Sequence, residues 1–268
     1  MSLVKTSKQI QIMKKGGEKL ASILKELTKL IKPGVNLLAV EAKAMSLIKE
    51  SGGKAGFARV PGYNWATCLN VNEDIVHGIP RDYLIKDGDV VNIDIGLYYK
   101  GFNSDMSGTM LVKDSKRKRS LKENLKEKEI EAFLNVGRRA LKEAISVAQP
   151  GNRVGHISKK IQSIVEGAGF SCAQNLTGHG IGQKLHELPS IPCVLRSLLE
   201  ETLLLKEGMT LAIEVIYSMG KADLVNLPDK WTIKTKDDKI SAVFEETIAL
   251  KKDGSLILTK LPKSLLTG

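Results

Sequence analysis

Residues 90–109, VVNIDIGLYYKGFNSDMSGT, place two aspartates inside a stretch that has the pattern of a buried β-hairpin. Strand-forming apolar residues flank a Lys-Gly pair at residues 100–101, which is the expected turn. If that turn has two residues, Asp94 pairs with Ser107 and Asp105 lies one diagonal away, so both carboxylates point to one face. An ionised carboxylate is costly to bury alone, so this face needs a cation or a shared proton. A metal is the first interpretation, and an exposed hairpin with two solvated aspartates is the alternative.

Length and composition predict a globular chain with a substantial core. The 268 residues are 42% hydrophobic and 26% charged, which excludes the disordered and fibrous classes. This length fits one large α/β or α+β domain or two intimately joined halves. The N-terminus lacks the apolar region of a signal peptide, and no run approaches the roughly 18 apolar residues of a membrane span. The three cysteines are scattered and suggest neither a disulfide framework nor a thiolate zinc site. We therefore expect a cytoplasmic protein with no membrane partner.

The net charge of +11 comes mostly from lysine and is densest in residues 113–128, KDSKRKRSLKENLKEK. Such a run favours encounters with polyanions, and contact with the ribosome surface is one interpretation. The solvated, lysine-rich start of a helix is the simpler one. Because no aromatic residue interleaves with the run, base stacking has no support, and we expect no sequence-specific binding of nucleic acid.

The apolar periodicity predicts helices in two similar pairs. The expected helices cover about residues 7–31, 37–50, 121–148 and 153–166. Asn36 precedes the second helix, and Asn152 is the candidate cap of the fourth. A strand is expected at residues 65–71, between the first helix pair and the hairpin.

The two helix pairs form an internal repeat. Shifting the chain by 117 residues places Pro33-Gly34 on Pro150-Gly151 and Gly52 on Gly169, with several apolar helix positions in register between them. Helix amphipathicity alone would reproduce some apolar matches, but not the Pro-Gly pair and the terminal glycine. We therefore predict a degenerate repeat of helix, helix and sheet, with halves at about residues 7–113 and 121–260, in one domain of residues 1–268.

If the first half ends in strands that carry acids, the second half should too. Residues 209–217, MTLAIEVIY, contain Glu214, and residues 241–250, SAVFEETIAL, contain Glu245. Each acid lies among strand-forming apolar residues, where a solvated surface charge is out of place. A sheet made from both halves would bring four buried acids to its centre.

Two of the four histidines lie close together in residues 177–189, TGHGIGQKLHELP, as His179 and His186. Glycines on both sides of His179 keep its surroundings free of side chains, so this imidazole can approach a crowded centre. Alone, such a histidine is more often structural or on the surface. Together with four acids it forms a ligand set for two divalent first-row ions bridged by carboxylates. His77, in VHGIP, is a weaker candidate, and His156 is expected to be an ordinary helix residue.

These motifs together resemble those of the methionine aminopeptidases, which have the pita-bread fold. Six motifs occur in order over nearly the whole chain: NIDIG with Asp94, SDMSGT with Asp105, TGHGIG with His179, LHELP with His186, AIEV with Glu214 and VFEET with Glu245. VHGIP with His77 and WTIKTKD with Trp231 extend the similarity. The interval of 31 residues between the two glutamates leaves no room for the helical insertion of type II, so the chain resembles a short form of type I. The resemblance implies an α+β fold with pseudo-two-fold symmetry, in which helices pack outside a central, mostly antiparallel sheet.

The resemblance also implies two divalent metal ions, which could be Mn, Co, Fe or Zn. Asp94 would chelate one ion, and Asp105 and Glu245 would bridge both. His179 and Glu214 would complete the ligands of the second ion. Glu214 would in addition accept and shuttle the proton of the attacking water.

The same resemblance implies contacts with the substrate. His77 would bind the scissile amide nitrogen or help its departure, and His186 would steady the carbonyl oxygen and the developing oxyanion. The residues expected around the methionine side chain are Tyr63, Cys68, Leu185 and Trp231. The implied reaction is the hydrolytic removal of the N-terminal methionine from nascent proteins and peptides, with a preference for a small second residue, by a monomeric catalytic domain.

Five positions depart from the family pattern and leave the side-chain selectivity open. They are Val215 for the usual proline, Glu246 for a frequent histidine, Leu185 for a common aromatic residue, and Phe57 and Val60 for a frequent cysteine and tyrosine. All five implied metal ligands are present, so the metal and the reaction are retained as expectations.

Two other interpretations remain. A prolidase or an aminopeptidase P shares the fold, but such enzymes usually carry a large additional N-terminal domain, whereas this chain begins almost directly at the repeat. A non-catalytic relative that binds peptide or RNA would typically have lost metal ligands.

Overall fold

The computed structural model describes residues 3–266 as helices packed on a large antiparallel sheet. The α-helices are α1 (Ser7–Thr28), α2 (Leu37–Glu50), α3 (Leu121–Val147), α4 (Val154–Glu166) and α5 (Lys263–Leu266). The strands of the first half are β1 (Lys54–Ala55), β2 (Thr67–Val71), β3 (Asp74–Val76), β4 (Val90–Tyr99) and β5 (Phe102–Leu111). Those of the second half are β6 (Ser171–Cys172), β7 (Thr177–Gly180), β8 (Glu187–Pro192), β9 (Thr210–Ser218), β10 (Leu224–Asn226), β11 (Ile233–Thr235), β12 (Ser241–Lys251) and β13 (Gly254–Ile257).

The main sheet combines strands from both halves of the chain. Its order is β1-β4-β5-β12-β9-β7-β8, with β2 paired to β4, β6 to β9 and β13 to β12. These pairings are antiparallel, as predicted. Strand β5 of the first half pairs with β12 of the second, so this contact joins the halves. Strands β10, β11 and β3 form a separate three-stranded sheet.

The long helix of each half packs on strands of its own half. Helix α1 packs against β4 and β5, and α3 packs against β9 and β12. Helix α1 begins at a capping box, in which the Gln9 amide N–H donates to the Thr6 hydroxyl and the Thr6 amide N–H donates to the Gln9 side chain. Its buried apolar residues include Ile10, Met13, Leu20, Ile23, Leu24 and Leu27. The three- and four-residue spacing predicts these positions and Leu30, which lies beyond the end of the helix and is only partly buried.

The predicted helix boundaries are confirmed to within three residues. Helix α2 covers residues 37–50 with Asn36 as its N-cap, as predicted. Helix α1 ends at Thr28 rather than near residue 31, because the amide groups of Leu30 and Ile31 bond to carbonyls only three residues back. This tighter turn leads the chain into Pro33.

The prediction that Asn152 caps α4 is wrong. Helix α4 begins at Val154, and the amide of its N-cap Arg153 donates to His156 Nδ1 at 3.0 Å. The side-chain amide of Asn152 instead donates to the Val147 carbonyl at 2.8 Å. The chain reverses between α3 and α4 within a few residues, so Asn152 reaches back to the Val147 carbonyl at the end of α3, which also accepts the Gln149 backbone N–H at 3.0 Å. His156 was expected to be an ordinary helix residue. Its side chain instead accepts the Arg153 N–H in the first turn of α4.

Strand boundaries also agree closely with the prediction. Strands β9 and β12 match the expected segments to within one residue. The strand expected from Trp65 begins at Thr67. The Ala66 N–H donates to the buried Glu41 carboxylate at 2.7 Å and so is not available to the sheet ladder. The N–H of Thr67, the first residue of β2, donates to the same carboxylate at 3.1 Å.

The basic run of residues 113–128 is partly neutralised by acids of the same chain. Its ion pairs are Arg117 with Asp87 and Glu123, Arg119 with Asp87 and Glu127, and Lys113 with Glu131. Other lysines of the run, such as Lys118, Lys122 and Lys126, are exposed. Within residues 3–266, no helix combines the length and apolar character that crossing a membrane requires.

Candidate active site

Five residues on five strands form one row across the main sheet. Cys68 on β2 lies opposite Asp94 on β4, which lies opposite Ser107 on β5. Ser107 lies opposite Glu245 on β12, and Glu245 lies opposite Glu214 on β9. Directly paired residues point to the same face, and neighbouring strands are about 4.8 Å apart. The row therefore gathers three carboxylates on one face of the sheet.

The β4–β5 hairpin adds the fourth carboxylate. Its two-residue turn has positive φ at both Lys100 (47°) and Gly101 (93°), as expected for a turn that matches the strand twist. The predicted pairing of Asp94 with Ser107 is confirmed. Asp105 lies two residues from Ser107 on β5, so its side chain is on the same face. Asp105 is buried, and Asp94 is partly exposed with a buried Oδ1, so the alternative of an exposed hairpin is excluded.

His179 reaches the acids from the neighbouring strand β7. It pairs with Ala212, two residues before Glu214 on β9, and therefore shares the face of the acids. Its Nδ1 lies 2.9 Å from the Gly180 carbonyl and so carries the proton, which leaves the Nε2 lone pair free. His179 Nε2 lies 4.0 Å from Asp105 Oδ2. The ligand atoms of Asp105, His179 and Glu245 all lie within 4.8 Å of one another.

Three of the carboxylates carry a buried oxygen that has no hydrogen-bond partner among the described residues. These oxygens are Asp94 Oδ1, Asp105 Oδ1 and Glu245 Oε1. A buried anionic oxygen is costly unless a cation, a donor or a proton satisfies it. With a neutral imidazole beside them, these atoms have the chemistry of a site for a divalent metal ion.

Burial shifts the pKa of every ionisable group on this face. It raises the pKa of Asp94 to about 7 and, together with repulsion between the acids, raises the pKa values of Asp105, Glu214 and Glu245 well above their ordinary range. Burial also lowers the pKa of His179 to about 3, so this imidazole is neutral at physiological pH. A bound cation would lower the pKa values of the four acids instead, because it favours their charged forms.

Two further histidines face the acids. The rings of His186 and His179 meet edge to face, with centroids 4.4 Å apart. His77 follows β3 and has a φ of 58°, a left-handed conformation that is uncommon outside glycine and often marks functional positions. Burial lowers the pKa of both His77 and His186, and the pKa of His77 is lowered further by His186. Each is therefore a neutral hydrogen-bonding group at neutral pH.

A single cavity of about 140 Å³ is lined by the eleven candidate residues singled out from the sequence, together with Phe57, Val60 and Val76. Its apolar wall is built around Tyr63, whose ring meets Trp231 edge-on at a centroid distance of 5.1 Å. The Tyr63 hydroxyl donates to the Thr67 carbonyl at 2.8 Å. Burial raises the pKa of the neighbouring Cys68 thiol, so that side chain stays neutral. The arrangement suits an apolar side chain beside a polar reacting centre.

An adjoining cavity contains the residues that the sequence analysis missed. It shares Val76, His77, His179, His186 and Glu214 with the first cavity, and it is lined in addition by Asn175, Leu176, Thr177, Glu187, Leu188, Ser190 and Ile216. Thr177 and Ser190 are joined by a hydrogen bond of 2.9 Å across β7 and β8. Thr177 belongs to the TGHGIG motif, so its proximity to His179 was available from the sequence. Val76 could have been identified in the same way from its position beside His77.

The five departures from the family pattern separate into two groups. Val215 and Glu246 directly follow the site residues Glu214 and Glu245 on their strands, so they point to the opposite face of the sheet. There the Glu246 carboxylate accepts the Leu261 amide at 2.7 Å, and burial raises its pKa to about 7. The other three, Phe57, Val60 and Leu185, line the cavity itself. Of the five departures, only these three can contact a side chain that is bound in the cavity.

The chain belongs to metallopeptidase family M24, whose model matches residues 11–252. Its chemistry is therefore metal-dependent peptide hydrolysis, and its α+β architecture is the pita-bread fold.

Similar proteins narrow this class further. The chain is 38% identical over 260 residues to a methionine aminopeptidase of Mycoplasma capricolum, covering 97% of this chain and 99% of the relative. It is 36% identical over 264 residues to methionine aminopeptidase 1 of Bacillus subtilis, with coverage of 97% and 100%. The crystal structure of a methionine aminopeptidase from Thermotoga maritima superposes with a TM-score of 0.87 at 36% identity, covering 96% of this chain and 98% of that one.

Proposed function

We propose that Asp94, Asp105, His179, Glu214 and Glu245 hold two divalent metal ions in an enzyme that removes the N-terminal methionine from peptides by hydrolysis. The observation that supports this best is the set of three buried carboxylate oxygens without a hydrogen-bond partner among the described residues. Carboxylate oxygens with one neutral imidazole suit Mn, Co, Fe or Zn. A divalent metal bound there supplies Lewis-acid chemistry, which polarises a carbonyl oxygen and lowers the pKa of water.

Proton transfer and contacts with the scissile peptide bond are assigned to three side chains at this site. Glu214 lines both cavities, so it can accept a proton from the attacking water and pass it to the departing amine. Partial desolvation lowers the pKa of both His77 and His186, so each imidazole is neutral at neutral pH and keeps one N–H donor. We assign His77 to the scissile amide nitrogen and His186 to the carbonyl oxygen, where negative charge develops.

The two cavities would fix the orientation of the bound peptide. The cavity with Tyr63, Cys68, Leu185 and Trp231 would take the methionine side chain, and the free α-amino group would lie near the acids. The adjoining cavity would take the second residue of the peptide. We propose that a small second residue is preferred and that nascent proteins are the natural substrates.

Release of methionine from a Met-Ala-Ser peptide tests the proposed function. The metal-depleted protein is assayed after addition of Mn, Co, Fe or Zn, one at a time. We expect turnover with at least one metal and none with chelator. The same peptide with an acetylated amino group is the control, and it should not be cleaved. Turnover in the presence of chelator, or equal cleavage of the blocked peptide, would contradict the proposal.

The proposal also covers the oligomeric state of the protein, its location and its contact with the ribosome. We propose that residues 1–268 act as one monomeric catalytic domain in the cytoplasm. The exposed lysines of residues 113–128 could contact the ribosome surface transiently, although several charges of this run are paired within the chain. Co-sedimentation with ribosomes at rising salt tests this contact. Binding that weakens with salt supports it, and no binding at low salt removes it.

A further inference from the structure

The loop between β7 and β8 carries two residues of the candidate active site, and a buried ion pair holds it. This loop, residues 181–186, contains Leu185 and His186, both of which line the cavity. Glu187 follows at the start of β8. The Lys5 ammonium donates to Glu187 Oε2 at 2.6 Å, and both side chains are 7% exposed.

The partner lysine comes from the other end of the chain, 182 residues away. Lys5 is itself fixed in place, because its backbone N–H donates to the Gly208 carbonyl at 2.7 Å and the preceding Val4 forms a β-bridge with Met209. The segment before α1 is thus joined to the start of β9, the strand that carries Glu214. Its lysine side chain then reaches the residue beside His186.

The other carboxylate oxygen of Glu187 closes the loop on itself. Glu187 Oε1 accepts the Lys184 amide at 3.0 Å, so one carboxylate holds both the loop backbone and Lys5. Gly182 packs against the ion pair so closely that an added Cβ would lie 2.5 Å from Lys5 Cε and 2.7 Å from Glu187 Oε1. The Gly182 carbonyl also accepts the Asn103 amide from β5 at 2.7 Å. The loop therefore has little freedom at either end.

We propose that Lys5 and Glu187 are positioning residues that set the distance between the His186 imidazole and the reacting carbonyl. This inference rests on the role proposed above for His186. Removal of the lysine would leave Glu187 buried without its cation, and the loop would move to bring that carboxylate to water. A shift of about 1 Å at His186 can lower the rate about a hundredfold while substrate binding is retained.

The test compares Lys5→Met with Arg138→Met in the full chain. Arg138 is a matched control because it is also a cation with a side chain 7% exposed that faces a glutamate, Glu131, and it does not line the cavity. We expect Lys5→Met to lower kcat by about 10- to 100-fold, with a smaller rise in KM because Leu185 lies in the same loop. Arg138→Met should keep kcat within about twofold at a temperature where both variants are folded.

A double variant, Lys5→Met with Glu187→Gln, separates positioning from stability. It leaves no unpaired charge at this site, so it should melt near the wild-type temperature while kcat stays low. The NMR signal of the His186 ring proton Hε1 should shift in both Lys5 variants and not in Arg138→Met. Wild-type kcat together with an unmoved His186 signal in the double variant would overturn the positioning role. A shifted signal with wild-type kcat would support the tether and contradict the proposed role of His186.

Discussion

Glu214 and Glu245 lie directly opposite each other on β9 and β12, with their side chains on the face that also carries Asp94 and Asp105. Two carboxylates on directly paired residues of neighbouring strands repel each other when both are ionised. Repulsion between these carboxylates therefore destabilises the folded protein, unless a bound cation or shared protons offset it. Burial and the neighbouring acids raise the pKa values of both glutamates in the same direction.

This relationship gives opposite effects of Glu245→Gln with and without metal. In the presence of chelator, the neutral amide requires neither a buried charge nor the uptake of a proton, so the free energy of unfolding should rise by about 1–3 kcal/mol at pH 7.5. With manganese, the wild-type protein should gain stability and Glu245→Gln should gain much less. Urea unfolding with chelator and with manganese measures both effects. Glu246→Gln is the control, because that side chain points to the opposite face and should leave the metal response unchanged.

The stability of the metal-free protein should fall as pH rises. The folded pKa of Asp94 is about 7 and its ordinary value is 3.8, so the folded state binds more protons than the unfolded state between these values. The stabilisation is fully present below pH 3.8 and is lost as pH rises through about 7. The contribution of Asp94 is on the order of 4 kcal/mol.

Urea unfolding in chelator at several pH values between 4 and 8 measures this trend. Asp94→Asn should reduce its slope, because an amide does not titrate, whereas Asp105, Glu214 and Glu245 still do. Adding manganese at pH 8 should restore stability to the wild-type protein. A free energy of unfolding that rises with pH across this interval would contradict the assigned direction of the pKa shift.

The hairpin and its acids could be predicted from the sequence because their determinants are local. Alternation of apolar residues around a two-residue Lys-Gly turn leaves one register, and that register sets the face of both aspartates. The choice between Glu245 and Glu246 is different, because adjacent acids on a strand face opposite ways. Alternation alone does not say which of the two acids faces the site. The strand context indicates Glu245, and the VFEET motif of the family resemblance supports that choice.

Features that depend on distant contacts were not predicted. The Lys5–Glu187 pair joins residues 182 positions apart, and nothing near either residue indicates its partner. Asn152 was misassigned because its side chain can reach the helix before it as well as the one after it, and only the path of the chain decides. The left-handed backbone of His77 likewise follows from tertiary structure, since histidine itself favours other conformations.

Truncation of Leu185 should weaken methionine binding more than it slows the reaction. Leu185 lines the cavity and packs with Phe57, Tyr63 and Cys68. Leu185→Ala removes apolar contacts with the substrate side chain, so kcat/KM for Met-Ala-Ser should fall about tenfold, mainly through KM. Steady-state kinetics measure the split. Leu198→Ala, at a residue 67% exposed, is the control and should leave both constants unchanged. A fall confined to kcat would show that Leu185 does not contact the methionine.

Substitutions of His77 should separate its backbone conformation from its chemistry. A φ of 58° is strained for most residues, but asparagine tolerates it well. Both His77→Asn and His77→Ala remove the imidazole, so both should lower kcat about a hundredfold. Only His77→Ala should also lower the melting temperature, because alanine disfavours the left-handed region. Kinetics and thermal unfolding of the two variants, loaded with the same metal, provide the comparison. If His77→Asn kept wild-type kcat, the conformation at this position would matter and the imidazole would have no role in the reaction.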